Sequence, residues 1–372
     1  MRPPIHGYCD PAFAKVGEAF AASFDGEAQV GACVAIVIDG RAAVDLWAGW
    51  RDAARTIEWQ ADTLVCMMSV GKAVAALCVL LLADRGKLDL DTPVARYWPE
   101  FGAAGKHGIT VAQVLGQEAG LPYADGAAPG SLWQPGAVAR ALETQAPEWP
   151  PGSTPCYHSF TAGMLYAELV RRVDGRPLGT FLREEIGVPH GIDFHLGLTA
   201  EADLRRAEYI ATAGTPSWEG IKRRIASPLN RAWRPLPDDE DGNSHHWRFG
   251  DFPSANGHGN ARAVAKLFAL LTATEAPIIR ASLLARAISA RWDGIEAMTQ
   301  RHFRYGLGFM LDCPPFPLAG PRNFGHPGIG GPVGFGDPER RLGFGYASNR
   351  MAPVADIGPA RALIAAAYDS LK

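Results

Sequence analysis

The sequence predicts an α/β chain of the α+β type: one antiparallel sheet assembled from both chain ends, flanked by helices, with a mainly helical subdomain inserted between them. Three observations predict it. Near the N-terminus, residues 32–38 and 42–47 are strand-like apolar runs joined by Asp39-Gly40, a strong hairpin signal. Strand-like runs return only in the last part, at 305–311, 331–335 and 342–348. Between these ends the pattern is helical, with loops rich in Pro and Gly. At 47% hydrophobic and 20% charged, the 372 residues can build a large core.

In chain order, residues 11–24 carry helical spacing (Phe13, Val16, Phe20, Phe24). The hairpin follows. Residues 73–83 are apolar on all sides, which predicts a buried helix. Asp91-Thr92-Pro93-Val94 reads as a helix start, and Thr110 as the cap of a helix over 110–115. A long amphipathic helix is expected over 157–173 and a shorter one over 178–186. Residues 216–253 combine mixed charge with Asp238-Asp239-Glu240-Asp241 and read as a mobile surface excursion near the substrate entrance. Helices are expected again at 261–272, 282–290 and 357–371. No internal repeat or low-complexity tract is visible.

Composition narrows the partners. The formal net charge is -3, and the densest basic stretches, Arg205-Arg206 and Lys222-Arg223-Arg224, have acids beside them. A solvated helix face explains them, so nucleic acid is not an expected partner. The six cysteines are widely spaced with no C-x-x-C pair, which predicts free buried thiols. The first seven residues lack an apolar signal core, and residues 73–83 are too short to span a bilayer. A cytoplasmic, soluble protein without a membrane partner is expected. His245-His246 lacks a carboxylate or cysteine at ligand spacing and reads as a surface loop, so neither a metal nor a cofactor is expected. Oligomeric state is not legible.

The chemistry is concentrated in Met68-Ser69-Val70-Gly71-Lys72, at the start of the buried helix. Positions i and i+3 share one helix face, so the Ser69 hydroxyl and the Lys72 amine stand side by side. A serine needs an adjacent base to act as a nucleophile. An amine in a dry site sheds its proton near neutral pH and can be that base. The helix N-terminus favours negative charge building up beside Ser69. Ser-x-x-Lys alone is weak, because it recurs in solvated helices. What raises it here is that burying an unpaired ammonium is costly and needs a reason.

Three further segments accompany this one: Gly120-Leu121-Pro122, preceded by Gln117; Pro151-Gly152-Ser153-Thr154-Pro155-Cys156-Tyr157-His158-Ser159; and Phe324-Gly325-His326-Pro327-Gly328, followed by residues 334–338 and Ser348-Asn349-Arg350-Met351. A weaker match is Ala255-Asn256-Gly257-His258-Gly259. With these motifs, over nearly the whole length, the chain resembles the serine β-lactamase-like hydrolases, the superfamily of class C β-lactamases, penicillin-binding proteins and family VIII carboxylesterases. The resemblance implies the β-lactamase/transpeptidase-like fold: one catalytic domain over 8–371, made of an α/β subdomain (about 8–78 and 260–371) and a mainly helical insertion (about 79–259). It implies that Ser69 attacks an acyl carbonyl, Lys72 keeps it deprotonated, and Tyr157 shuttles a proton to the leaving group and later activates water. The backbone N–H groups of Ser69 and of Ile329, on the strand after His326-Pro327-Gly328, would hold the oxyanion. His326, Gly328, Gln117, His158 and Ser159 would bind or orient the substrate.

Each residue also has a plainer reading. Alone, Tyr157 is a buried tyrosine at a helix start, and His158 is more often a satisfied polar neighbour. His326 could cap a turn, and His258 reads as loop architecture. Trp218, Trp233 and Trp247 either line an acyl pocket or pin the excursion to the core. Two departures set direction. Ser159 stands where the β-lactamase Tyr-x-Asn pattern has an amide, and His326 stands where β-lactamases carry Lys. A neutral imidazole recognises the carboxylate of penicillins poorly. With no export signal, these features point to a serine hydrolase of small carboxylic esters acting through an acyl-enzyme. Acyl transfer or amide cleavage on a dedicated small metabolite is the alternative, with β-lactam turnover as a side activity at most. A binding scaffold that has lost turnover is disfavoured by the intact Ser69, Lys72 and Tyr157.

Overall fold

Asp39 and Gly40 both adopt left-handed φ values, 49° and 74°. That is the turn whose twist matches antiparallel strands, and it closes the first hairpin of the molecule. The computed structural model describes residues 2–27, 29–211, 228–352 and 357–372. Among them the strands are β1 (Ile5–Cys9), β2 (Gly31–Ile38), β3 (Arg41–Gly49), β4 (Val65–Met68), β5 (His195–Leu196), β6 (Gly257–Gly259), β7 (Trp292–Ile295), β8 (His302–Tyr305), β9 (Met310–Leu311), β10 (Phe324–Pro327), β11 (Val333–Asp337) and β12 (Leu342–Ser348). Nine form one antiparallel sheet in the order β1-β3-β2-β12-β11-β10-β9-β8-β7. The chain ends meet where β2 pairs with β12, Ile38 opposite Leu342 and Ala32 opposite Ser348. β4, β6 and β5 make a second, small sheet.

The run in β2 is continuously apolar because both faces of the sheet are covered. Cys33, Ala35 and Val37 join the core built around the helix Val70–Asp84. Ala32, Val34 and Ile36 point the other way, into a core with Phe13, Val16, Phe20, Leu363 and Ile364. The helices Ala14–Ala22 and Pro359–Ser370 close that second face. The result is three layers, helix–sheet–helix.

Several boundaries differ from expectation, each for a local reason. The helix expected over 157–173 is Thr161–Asp174, so Tyr157 lies in the preceding loop, whose backbone is held by other segments. The strand expected over 305–311 is broken: β8 ends at Tyr305, a turn with Gly308 at φ 81° intervenes, and β9 resumes at Met310. Ile329 is not on a strand but in the β10–β11 turn. The described part of the 216–253 excursion is exposed at Asp238, Asp239, Asp241, His245 and His246 but is anchored by packed residues. Trp247 and Phe252 are fully buried there, and Arg231 pairs with Asp125 and Glu148. Trp218 and the Lys222-Arg223-Arg224 stretch lie outside the described residues. Thr110 caps its helix in a full capping box with Gln113.

The helix Ala261–Thr272 lies directly on β12. A Cβ on Gly343 would sit 1.9 Å from the Ala265 carbonyl oxygen, and one on Gly345 would sit 2.2 Å from that of Ala261. Helix backbone meets strand backbone at both points. We expect Gly345→Ala to lower the chemical-denaturation midpoint, with a loss of about 1–3 kcal/mol or more from overpacking, while Gly294→Ala, which meets open space, has little effect.

Candidate active site

Strand β4 delivers the chain to Met68, which is held at φ 49°, a left-handed conformation costly for a side chain of this size. Ser69 follows at the N-cap of the helix Val70–Asp84, and its hydroxyl makes no capping bond. It is therefore free for chemistry. Lys72 Nζ lies 3.0 Å from Ser69 Oγ and 2.5 Å from the Ser254 carbonyl oxygen. Lys72 is fully buried, and burial holds its pKa well below the ordinary lysine value. The amine donates to the Ser254 carbonyl and to the Ser69 hydroxyl oxygen. The Tyr157 phenol and Ser69 line the same cavity, and the Tyr157 ring centroid lies 5.2 Å from Lys72 Nζ. Burial raises the phenol's pKa, so its proton stays in place at neutral pH. Nucleophile, amine and phenol thus meet although Tyr157 is remote in sequence.

The other motifs serve these three unequally. His158 does not reach the cavity. Its Nδ1 is 2.7 Å from the Cys156 carbonyl and its Nε2 accepts from Leu121 N–H at 3.0 Å, so both ring nitrogens are used in bracing the tyrosine loop against the Gly120-Leu121-Pro122 segment. Thr161 Oγ1 donates to the Leu121 carbonyl at 2.6 Å and completes that brace. Gln117 is also buried behind the site. Its Oε1 accepts from His158 N–H at 2.7 Å and its Nε2 donates to the Tyr305 hydroxyl at 2.5 Å. Gln117 and His158, expected to bind or orient the substrate, do not line the cavity and brace the tyrosine loop behind it. Ser159 does face the cavity, and its hydroxyl accepts from Trp233 Nε1 at 3.1 Å. Trp233 lines the cavity, while Trp247 is a pin, its Nε1 on Cys66 Sγ at 3.5 Å.

His326 sits at the cavity wall, tilted against the Tyr157 ring at 5.9 Å between centroids. Its Nδ1 lies 2.7 Å from the Pro327 carbonyl, which assigns the proton to Nδ1 and leaves Nε2 as a buried acceptor without a partner. Burial, with Lys72 nearby, pushes its pKa down to about 3. The imidazole is neutral and presents a lone pair, the reverse of an ammonium. Beyond it, Gly328 lets the β10–β11 turn close on β4. A Cβ there would lie 2.3 Å from the Met67 carbonyl oxygen. That approach brings Ile329 and Ser69 to one cavity of about 180 Å³. Its walls are mainly apolar, from Leu229, Trp233, Phe303, Phe316 and Ile357.

The β-lactamase family model matches residues 18–369. The chain belongs to the β-lactamase family. Among curated relatives of this β-lactamase-family protein, the esterase/β-lactamase LipL of Mycobacterium tuberculosis is 32% identical over 369 residues, covering 93% of this chain and 83% of that one. A crystal structure of a family VIII carboxylesterase superimposes with a TM-score of 0.89 at 34% identity, covering 99% of this chain and 100% of that one. A penicillin-binding protein homologue from Caulobacter crescentus gives 0.88 at 34% identity, with the same coverage. No helix among the described residues is long and apolar enough to cross a membrane.

Two residues of this β-lactamase-family chain escaped the sequence reading. Ser254 supplies the carbonyl that orients Lys72. Its own hydroxyl donates to the Phe160 carbonyl and accepts from Gly163 N–H at 2.9 Å. Gly71 and Gly163 make room for it, since a Cβ on either would lie 2.8 Å from the Pro253 carbonyl oxygen and 2.3 Å from Ser254 N respectively. Glu296 is fully buried, and its carboxylate accepts from the backbone of Tyr157 and Met298 at 2.9 Å each and from Thr299. It fixes the tyrosine loop from the far side. A lone Glu in a loop gives no sequence signal, because its partners are backbone amides brought by tertiary structure.

We expect Glu296→Gln to lower stability by about 1–3 kcal/mol, the cost of orphaned buried donors, and to reduce kcat more than it raises KM. Urea unfolding and steady-state kinetics would read the two effects. Lys72 makes a second prediction. The unfolded chain protonates it at neutral pH while the folded protein resists, so this group's contribution to stability rises with pH until about 10.4. Lys72→Met should therefore unfold at a higher temperature than the parent at pH 7, with the gap narrowing by pH 10.

Proposed function

We propose that this serine hydrolase of the β-lactamase family cleaves small carboxylic esters through an acyl-enzyme. The observation that carries the reading is the fully buried Lys72 amine 3.0 Å from the Ser69 hydroxyl, its pKa held down by burial. Lys72 takes the hydroxyl proton as Ser69 Oγ attacks the ester carbonyl carbon. The resulting oxyanion is held by the backbone N–H groups of Ser69 and Ile329. The phenol of Tyr157, which lines the same cavity as Ser69, passes its proton to the departing alkoxide and recovers one from Lys72. In deacylation the same groups run in reverse, taking a proton from water as it attacks the acyl carbon. The named esterase and carboxylesterase relatives support this class of substrate. The apolar cavity favours a second outcome at the last step, in which an alcohol acceptor competes with water for the acyl group.

Ser69→Ala is expected to abolish turnover of p-nitrophenyl butyrate, and intact mass after brief mixing should show one acyl group on the parent and none on the variant. Unchanged turnover in Ser69→Ala ends the proposal. Tyr157→Phe should lower kcat by about 10²–10⁴-fold, the usual range for a positioned proton donor. Because His326 titrates near pH 3, no rate limb near 6.5 belongs to it. His326→Gln should lower the rate without moving the acid limb of the kcat/KM profile.

A further inference from the structure

The cavity that holds Ser69 is also lined by Arg301, a charge the reaction above does not use. No Asp or Glu among the described residues lines it. Among the described residues lining this largely apolar space, Arg301 is the one with a permanent formal charge. Its side chain is partly buried, and among the described residues no carboxylate, carbonyl or ring partners the guanidinium. Neighbouring arginines are engaged: Arg291 on Glu118 at 2.7 Å, and Arg304 on the Pro321 carbonyl at 2.8 Å. A guanidinium at the wall of a largely apolar cavity, with no acid of the protein beside it, is open to an anionic group on a ligand.

Arg301 is also held rather than trailing. Its carbonyl accepts from Glu296 N–H at 3.0 Å, and Gln300 before it is locked at φ 58°. The Glu296 carboxylate that pins Tyr157 also pins Thr299, so one rigid turn sets both the phenol and the guanidinium.

We propose that Arg301 anchors a carboxylate on the substrate, so that the preferred ester is one whose acyl or alcohol part bears an acid group. The proposal rests on the ester-hydrolase reading for its catalysis but not for its binding. An arginine binds carboxylate with its two-pronged fork and is a natural partner for a small organic acid.

The test uses matched pairs. On the acyl side, mono-p-nitrophenyl glutarate is compared with p-nitrophenyl pentanoate; on the alcohol side, 3-carboxyphenyl butyrate with 3-carbamoylphenyl butyrate. The parent should favour the anionic member of one pair by about ten- to a hundredfold in kcat/KM, as a charge-assisted pair allows, and the pair that shows it identifies the side bearing the acid. Arg301→Gln should erase the preference while leaving the neutral esters within about threefold, and Arg301→Lys should restore part of it. In parallel, glutarate and 3-hydroxybenzoate are titrated calorimetrically into Ser69→Ala with and without Arg301→Gln. Acid binding that depends on Arg301 supports the proposal even if no ester is cleaved, an outcome that would count against the hydrolase reading alone. Neutral esters cleaved with no anionic preference, together with no Arg301-dependent acid binding, overturn it. Equal losses on both members of each pair after Arg301→Gln also overturn it, since they mark a structural role.

Discussion

The site depends on one constraint: a lysine amine held out of water with no acid to pair it. Lys72 is fully buried, and its polar contacts are a serine hydroxyl and the Ser254 carbonyl. Either would be a poor partner for an ammonium that has lost its hydration, and burial holds the amine's pKa well below the ordinary lysine value. That is costly in stability, and it places a weakened ammonium acid beside a serine hydroxyl. The rest of the architecture keeps water out and the three polar groups in register.

Close backbone approach is the means. Gly71 and Gly163 admit the segment that carries Ser254, and Gly328 admits the β10–β11 turn beside Met67. Each glycine stands where a Cβ would strike backbone, which cannot move aside as a side chain can. The second and third sequence motifs are largely a brace for Tyr157: His158, Gln117, Leu121 and Thr161 exchange buried hydrogen bonds, and Glu296 secures the other side. The tail of the fourth motif is also architecture. Asn349 accepts from Gly31 N–H at 2.9 Å and donates to the Trp50 carbonyl at 3.1 Å, tying the end of β12 to the first hairpin.

Against this frame, the exchange of an ammonium for His326 changes the chemistry of recognition. With its proton spent on the Pro327 carbonyl, the imidazole is an acceptor facing the cavity. It suits a substrate hydroxyl or amide N–H and does nothing for an anion. Positive charge enters instead from Arg301, on a different loop. Family membership fixes the fold, while the polarity of the walls bears on what the site admits.

The amino-acid sequence by itself determined the hairpin at Asp39-Gly40, the buried helix that begins at Ser69, the Thr110 cap and the helix over 261–272. These follow from turn chemistry, capping and apolar periodicity, all of which act over a few residues. It also determined the pairing of Ser69 with Lys72, because one helical turn spans both. The remainder was decided by tertiary structure. Tyr157 looked like a helix residue because apolar periodicity runs on past the cap, yet long-range bonds from Glu296 and Gln117 hold it in a loop. The Ser254 carbonyl, the Glu296 carboxylate and the Arg301 guanidinium act through partners far away in sequence, and contacts of that kind leave no periodic trace in the chain.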